Sequence, residues 1–208
     1  MKKNYNFEKK YFIAIAGPTG SGKTFLAKQL VRRLGSRNCI AVSQDQYYKD
    51  LSFLSKKERK INNFDDIKSF DLSLFKKHIR ALKKGQFILQ PRYSFTSSRR
   101  LKRQKKILPK RWIIIEGLMP FATRELLSLF DLTVYIDAHN YICLARRIKR
   151  DVKERGESLE SVCKRYLQDV LPMQFKYVEK QKSMADIIVD GNLPVNEILN
   201  RVYNSIVK

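Results

Sequence analysis

Short apolar runs alternate with longer amphipathic stretches along the chain. The runs "YFIAIAG" (11–17), "CIAVS" (39–43), "WIIIEG" (112–117), "LTVYID" (132–137) and "ADIIVD" (185–190) are rich in β-branched residues and bounded by polar ones. They are mostly continuous rather than alternating, which predicts parallel strands buried on both faces. Between them the spacing predicts helices. Lys23–Leu34 lines up Leu26, Leu30, Val31 and Leu34. Asp71–Lys84 lines up Leu72, Phe75, Ile79 and Leu82, with Gly85 where a C-cap belongs. His139–Arg155 is expected to bury Ile142, Ala145, Ile148 and Val152. Pro172 is expected to interrupt a helical segment over 158–180. A last helix begins near Pro194, with Val195, Ile198, Leu199, Val202 and Ile206 inward. The stretch 86–111 differs and reads as a short hairpin projecting from the sheet. The whole pattern predicts an α/β three-layer sandwich, a mostly parallel five-stranded sheet in a single domain over 1–208.

Composition narrows the setting. With 208 residues, the chain is long enough for a sizeable core. No run approaches the roughly 18 apolar residues of a membrane helix, so no membrane span is expected. The basic start "MKKNYNFEKK" has no long apolar stretch behind it and reads as no signal peptide. Cys39, Cys143 and Cys163 are odd in number and far apart, which fits a reducing cytoplasm and no metal or redox pairing. Cys39, within an apolar strand, is expected in the core. The formal net charge of +23 attracts anions: nucleotides, nucleic acid or a membrane surface. Lys and Arg run along the whole chain, so a solvated basic surface is the simplest account.

One motif carries specific chemistry. "GPTGSGKT", comprising Gly17, Pro18, Thr19, Gly20, Ser21, Gly22, Lys23 and Thr24, fits G-x(4)-G-K-[ST] between a strand and a helix. Its glycines let backbone N–H groups converge on one point, and the helix N-terminus favours negative charge there. Lys23 is expected to reach the β- and γ-phosphates of ATP, and the Thr24 hydroxyl to ligate Mg²⁺. In a parallel sheet the site lies beyond the carboxyl ends of the strands. Two acids fall there: Asp45, suited to accept a hydroxyl proton, and Glu116, suited to the shell of the metal. A helix cap for Asp45 and a strand-end surface acid for Glu116 are the alternatives. Arg146, Arg147, Arg150 and Arg155 cluster in "ARRIKRDVKERG", a helix that would serve as a lid over the phosphates. The alternative is a solvated basic face partnered by Asp151 and Glu154.

Several segments together resemble the uridine kinase (uridine–cytidine kinase) family: "IAGPTGSGKT", "SQDQYYKDLSFLSKKER", "NFDDIKSFD", "PRYSF", "IIIEGLM", "ICLARRIKRDVKERG" and "MADIIVDG", in order over most of 11–191. The resemblance implies ATP- and Mg²⁺-dependent phosphorylation of a pyrimidine nucleoside at its 5′ hydroxyl, by a homotetramer. It makes Asp45 the general base and Asp65 the acid that binds the ribose hydroxyls. Tyr93 becomes the aromatic against the pyrimidine, Arg147 a nucleoside-side contact, and Arg150 and Arg155 phosphate contacts. A capping role for Asp65 near Ser69 and a core role for Tyr93 remain the plainer readings. Ser98 stands where the family has a base-contacting His. Glu157 stands where it has a substrate-side Arg, Arg165 replaces a Gln, and Asp190 replaces an Arg. Glu157 and Arg165 would preserve a local charge pair by contacting each other. The resemblance thus leaves phosphate handling intact and base reading altered. A different class of function competes with it. The basic run 98–111, flanked by Tyr93, Phe95 and Trp112, would suit a nucleic-acid-binding protein that uses ATP as a switch.

Overall fold

The β-branched runs become strands because each can bury both of its faces. In a computed structural model, which describes residues 9–207, five of them form one parallel sheet. They are β1 (Tyr11–Ala16), β2 (Cys39–Ser43), β5 (Trp112–Glu116), β6 (Leu132–Asp137) and β7 (Ile187–Asp190), in the order β2-β5-β1-β6-β7. Of the basic start, residues 1–8 lie outside the described residues. Ile13 pairs with Ile114 on one side and Leu132 on the other, so the central strand is hydrogen-bonded along both edges.

Side-chain alternation divides the core into layers. Ile13, Ile15, Ile114, Val134 and Val189 face one way. They pack on Leu26 and Leu30 of α1 (Lys23–Leu34) and on Ile198 and Val202 of the C-terminal helix Val195–Val207. Phe12, Val42, Ile113 and Ile115 face the other way, onto Phe75, Ile79 and Leu82 of α3 (Leu72–Lys83). Each such side chain contributes about 1.5–3 kcal/mol on burial. A short α2 (Lys56–Ile61) precedes α3, with Ser55 and Glu58 closing a capping box on it, and a single-turn α4 (Arg124–Leu127) follows β5. No helix among the described residues is long and apolar enough to cross a membrane.

The projecting element is a separate antiparallel hairpin, β3 (Ile88–Ser94) and β4 (Arg99–Ile107). Its base is buried through the Ile88–Ile107 pair, packed with α3. Three polar contacts latch it to the segment after β2. Gln90 Nε2 donates to the Ser43 carbonyl (3.2 Å), Tyr93 N donates to Gln46 Oε1 (2.9 Å), and Arg100 Nε donates to the Tyr48 carbonyl (2.7 Å).

Three expectations change. The helix α5 (Asn140–Arg155) does not bury Ile142, Ala145, Ile148 and Val152; its buried positions are Cys143, Arg147 and Asp151, while Ala145 and Val152 are exposed. Ion pairs between neighbouring turns make a charged face the inward one. Pro172 does not break the segment after α5 either. α6 (Leu159–Arg165) continues through π-type turns at Tyr166–Val170 and Gln174–Val178 as far as Met184. Pro172 has no N–H to give the ladder, and the wider π turns around it absorb that gap without ending the helix. Finally, Val195 is exposed rather than inward, because it sits at the first turn of its helix.

Candidate active site

The phosphate loop is shaped by its glycines. Gly20 has φ +79, and a Cβ there would lie 2.4 Å from the Cys143 carbonyl of α5, so only glycine lets the loop pass beneath that helix. Gly22, at φ +99, turns the chain into α1. Lys23 is buried and folds back on the loop, its Nζ donating to the carbonyls of Gly17 (2.8 Å) and Pro18 (2.7 Å). Burial pulls the Lys23 ammonium below its ordinary range, against the charges of Asp45 and Glu116.

The strand ends deliver the acids. Register sets Glu116 beside Ile15 of β1 and Ser43 of β2, so the carboxyl end of β5 faces the loop. Thr24 Oγ1 donates to Glu116 Oε2 at 3.0 Å. Burial, and then the charge of Asp45, pushes the Glu116 carboxyl up. Asp45 follows β2 in a single 3₁₀ turn, Gln44–Tyr47, and makes no capping bond. Burial raises its carboxyl too, opposed by Lys23, Arg155 and Arg150. A threonine hydroxyl beside a carboxylate is a donor set that suits Mg²⁺ alongside phosphate oxygens and water. Among the described residues no cluster of three or more His, Cys, Asp or Glu could hold a metal. Thr24 and Glu116 therefore fit a metal that arrives with its phosphates.

The third wall is α5. Asp151, buried at its centre, gathers three guanidiniums: Arg150 Nε (2.8 Å) and Arg155 Nε (3.3 Å) on Oδ1, and Arg147 Nε (3.3 Å) on Oδ2. Arg147 also reaches across the cavity, with Nη1 3.3 Å from Thr19 Oγ1 and 3.5 Å from Asp65 Oδ1. Asp65 makes no cap; its neighbours Asp66 and Asp71 cap the following turns. Arg155 stacks on the Phe95 ring (4.4 Å), so it joins α5 to the hairpin as well as facing Asp45. Arg146 lies over the loop, with Nη1 3.5 Å from the Gly20 carbonyl.

All these groups line one cavity of about 540 Å³, together with Tyr48, Phe64, Tyr93, Phe95, Thr96 and Ser98. Tyr48 stacks on Phe70 (4.4 Å between centroids) and meets Tyr93 and Phe64 edge-on or tilted, making an aromatic wall opposite the arginines. Ser98 sits at the hairpin turn with φ +51. The sequence model described as "Phosphoribulokinase / Uridine kinase family" matches residues 12–198. The chain belongs to that family. A uridine kinase of Brevibacillus brevis is 40% identical over 177 residues, 85% of this chain and 83% of its own. One of Shewanella amazonensis is 39% identical over 188 residues, 88% and 89% of the two chains. Phosphoribulokinase of Rhodobacter spheroides shares the fold, with a TM-score of 0.57 at 14% identity over 82% of this chain and 68% of that one.

Within this member of the family, the Glu157–Arg165 pair forms at the cavity wall, Oε1 to Nη1 at 4.0 Å. Asp190 instead turns outward, its carboxylate accepting from Asn192. Sequence reasoning missed Tyr48, Phe64 and Gln46, although the segments "QDQYY" and "NFD" contain them. It also missed the anchoring role of Gln44. That buried side chain donates to the Met119 carbonyl (3.0 Å) and accepts from the Met119 N–H (2.8 Å), tying the Asp45 turn to the loop after Glu116.

Proposed function

We propose that this protein phosphorylates uridine, with cytidine as a second substrate, at the 5′ hydroxyl using ATP and Mg²⁺. It would work in pyrimidine salvage in the cytoplasm, as a homotetramer. The observation that carries the reading is the single cavity shared by the Lys23 loop, the Asp45 carboxylate and an aromatic wall of nucleoside size. The relatives named uridine kinase, near 40% identity over most of the chain, support the same substrate.

In this reading the loop N–H groups and Lys23 hold the β- and γ-phosphates. Thr24 and Glu116 hold Mg²⁺, which when bound offsets phosphate charge. Asp65 binds the ribose hydroxyls, and Tyr93 with Phe95 flanks the base. Asp45 takes the proton of the 5′ hydroxyl as its oxygen bonds to the γ-phosphorus and the bond to ADP breaks. A carboxyl raised by burial is a stronger base than an exposed one, and the charges of Lys23, Arg155 and Arg150 oppose that rise. Arg150 and Arg155 meet the charge on the transferring group, and α5 excludes water from it.

The test is purified protein with Mg²⁺ and ATP against a panel of nucleosides, with the phosphorylated position identified by NMR. A uridine 5′-monophosphate product is expected. Transfer to no pyrimidine nucleoside overturns the proposal, and transfer to another small hydroxyl compound reassigns the substrate.

A further inference from the structure

Between Asp71 and Glu116 the chain has no acidic residue and fourteen lysines and arginines. That stretch folds into α3 and the hairpin, which share the core of Phe75, Ile79, Leu82, Ile88 and Ile107. Its charge is therefore held in one contiguous block rather than spread over the surface. Glu125 neutralises Lys76 and Arg80, and Asp71 pairs with Arg100. Among the described residues, no acid lies within ion-pair distance of Lys83, Arg92, Lys102, Arg103, Lys105 or Lys106.

The outer face of the hairpin is apolar as well as basic. Cross-strand partners share a face. Leu89 lies opposite Lys106 and Arg92 opposite Leu101, while the Ile88–Ile107 pair and Tyr93 point inward. Phe87 and Leu108 flank the inward pair. Phe87 is 54% exposed, Leu89 45%, Leu101 44% and Leu108 57%. The Lys106 ammonium sits 4.5 Å above the Phe87 ring. Lysines on an edge strand guard it against pairing with other chains. That role explains basic residues on β4; it does not explain leucines and a phenylalanine displayed among them.

We propose that this face docks on an anionic lipid surface. The guanidinium and ammonium groups attract phosphate headgroups, and Phe87, Leu89, Leu101 and Leu108 enter the boundary beneath them. A second copy of the chain would bring like charge against like. Single-stranded nucleic acid is gripped by successive aromatic platforms, yet Tyr93 and Trp112 are buried and Phe95 faces the cavity, which leaves this face Phe87 without a row of rings beside it. Docking through this face leaves the protein peripheral.

The test is co-sedimentation of the full chain with vesicles of phosphatidylcholine, with and without phosphatidylglycerol, at rising salt. Binding is expected only with the anionic lipid and is expected to weaken as salt screens it. Each basic residue lost should weaken partitioning about fivefold. The double variant Arg92→Gln, Lys106→Gln, at the two basic positions paired across the outer face, should therefore lose about twenty-five-fold. A second variant, Leu89→Ser, Leu101→Ser, Leu108→Ser, should also lose binding while its thermal melt matches the parent. The proposal is overturned if the parent ignores lipid charge or fails to sediment, or if the serine variant binds as well as the parent. It is overturned equally if RNA in a parallel filter assay is held more tightly than the vesicles, which makes the face a nucleic-acid interface.

Discussion

Asp151→Asn tests the network that shapes the lid. The Asp151 side chain is buried and its two oxygens serve Arg147, Arg150 and Arg155 at 2.8–3.3 Å. Asparagine fills the same volume, so no cavity opens and only charge is lost. Breaking a fully buried pair costs about 3–5 kcal/mol. That cost falls on Arg147 alone, whose side chain is 9% exposed, and Arg147 keeps Asp65 at 3.5 Å, so about 2 kcal/mol remains. The Arg150 and Arg155 side chains are 33% and 25% exposed and regain water, so each adds under ~1 kcal/mol. The sum, about 2–4 kcal/mol, lowers Tm by roughly 4–16 °C in a chain of this size. Despite burial, the three arginines hold the Asp151 carboxyl below its ordinary range. Its stabilisation is therefore present above the unfolded value near 3.9 and lost as pH falls through the folded one. Calorimetry should show the full gap between parent and variant at pH 7 and a narrowing gap below about pH 4. A Tm within about 2 °C of the parent at pH 7, or a gap that widens in acid, refutes the reasoning.

Asp45→Asn should cut turnover by about 10²–10⁴ while ATP binding by calorimetry persists. In the parent, the base must be ionised and burial raises its carboxyl. The acid limb of kcat/KM should accordingly lie above the ordinary carboxylate value, and a limb at or below about 3.9 contradicts the assignment. Gly20→Ala drives a methyl toward the Cys143 carbonyl at a φ of +79. It should reduce kcat/KM for ATP more than about tenfold in steady-state kinetics, and parent-like kinetics would show that the loop and α5 are not in contact during turnover. Glu157→Gln removes a long, half-exposed pair, so urea denaturation should change by less than ~1 kcal/mol. Its effect should appear as a shifted nucleoside KM with an unchanged ATP KM, and the reverse pattern would remove Glu157 from the nucleoside end.

The strands were readable because a sheet covered on both faces demands unbroken apolar runs, and "WIIIE" is one. The phosphate loop was readable because its constraints are local: Gly20 and Lys23 answer to their own backbone within a few residues. The inward face of α5 was not. Helical periodicity counts apolar side chains, and this helix buries Arg147 and Asp151, an ion pair four residues apart. Nor could the chain reveal that Arg155 stacks on Phe95 or that Gln44 clamps Met119, since such contacts join segments 60 and 75 residues apart with no period to betray them. Composition misled in a further way. Lys and Arg do run along the whole sequence, yet neutralising acids are missing from 72–115, and it is their absence that concentrates the charge.

The cavity is lined by six cations, Lys23, Arg146, Arg147, Arg150, Arg155 and Arg165, and by five carboxylates, Asp45, Asp65, Glu116, Asp151 and Glu157. Opposite charges are thus nearly matched within the protein, which lets Lys23, Arg147, Asp65, Glu116 and Asp151 be buried together. Asp151 has no place among the groups proposed to touch substrate, yet it keeps three arginines ordered beside the phosphate loop. Ordering a free arginine side chain costs up to about 2 kcal/mol, and that cost is met during folding instead of at binding. The arrangement carries an opposing effect: an incoming phosphate must compete with Asp151 for the same guanidinium forks. Arg150 and Arg155, bound to Asp151 through Nε, keep their terminal nitrogens outside those pairs. In the proposed reaction a phosphate oxygen would therefore add to the network without first dismantling it.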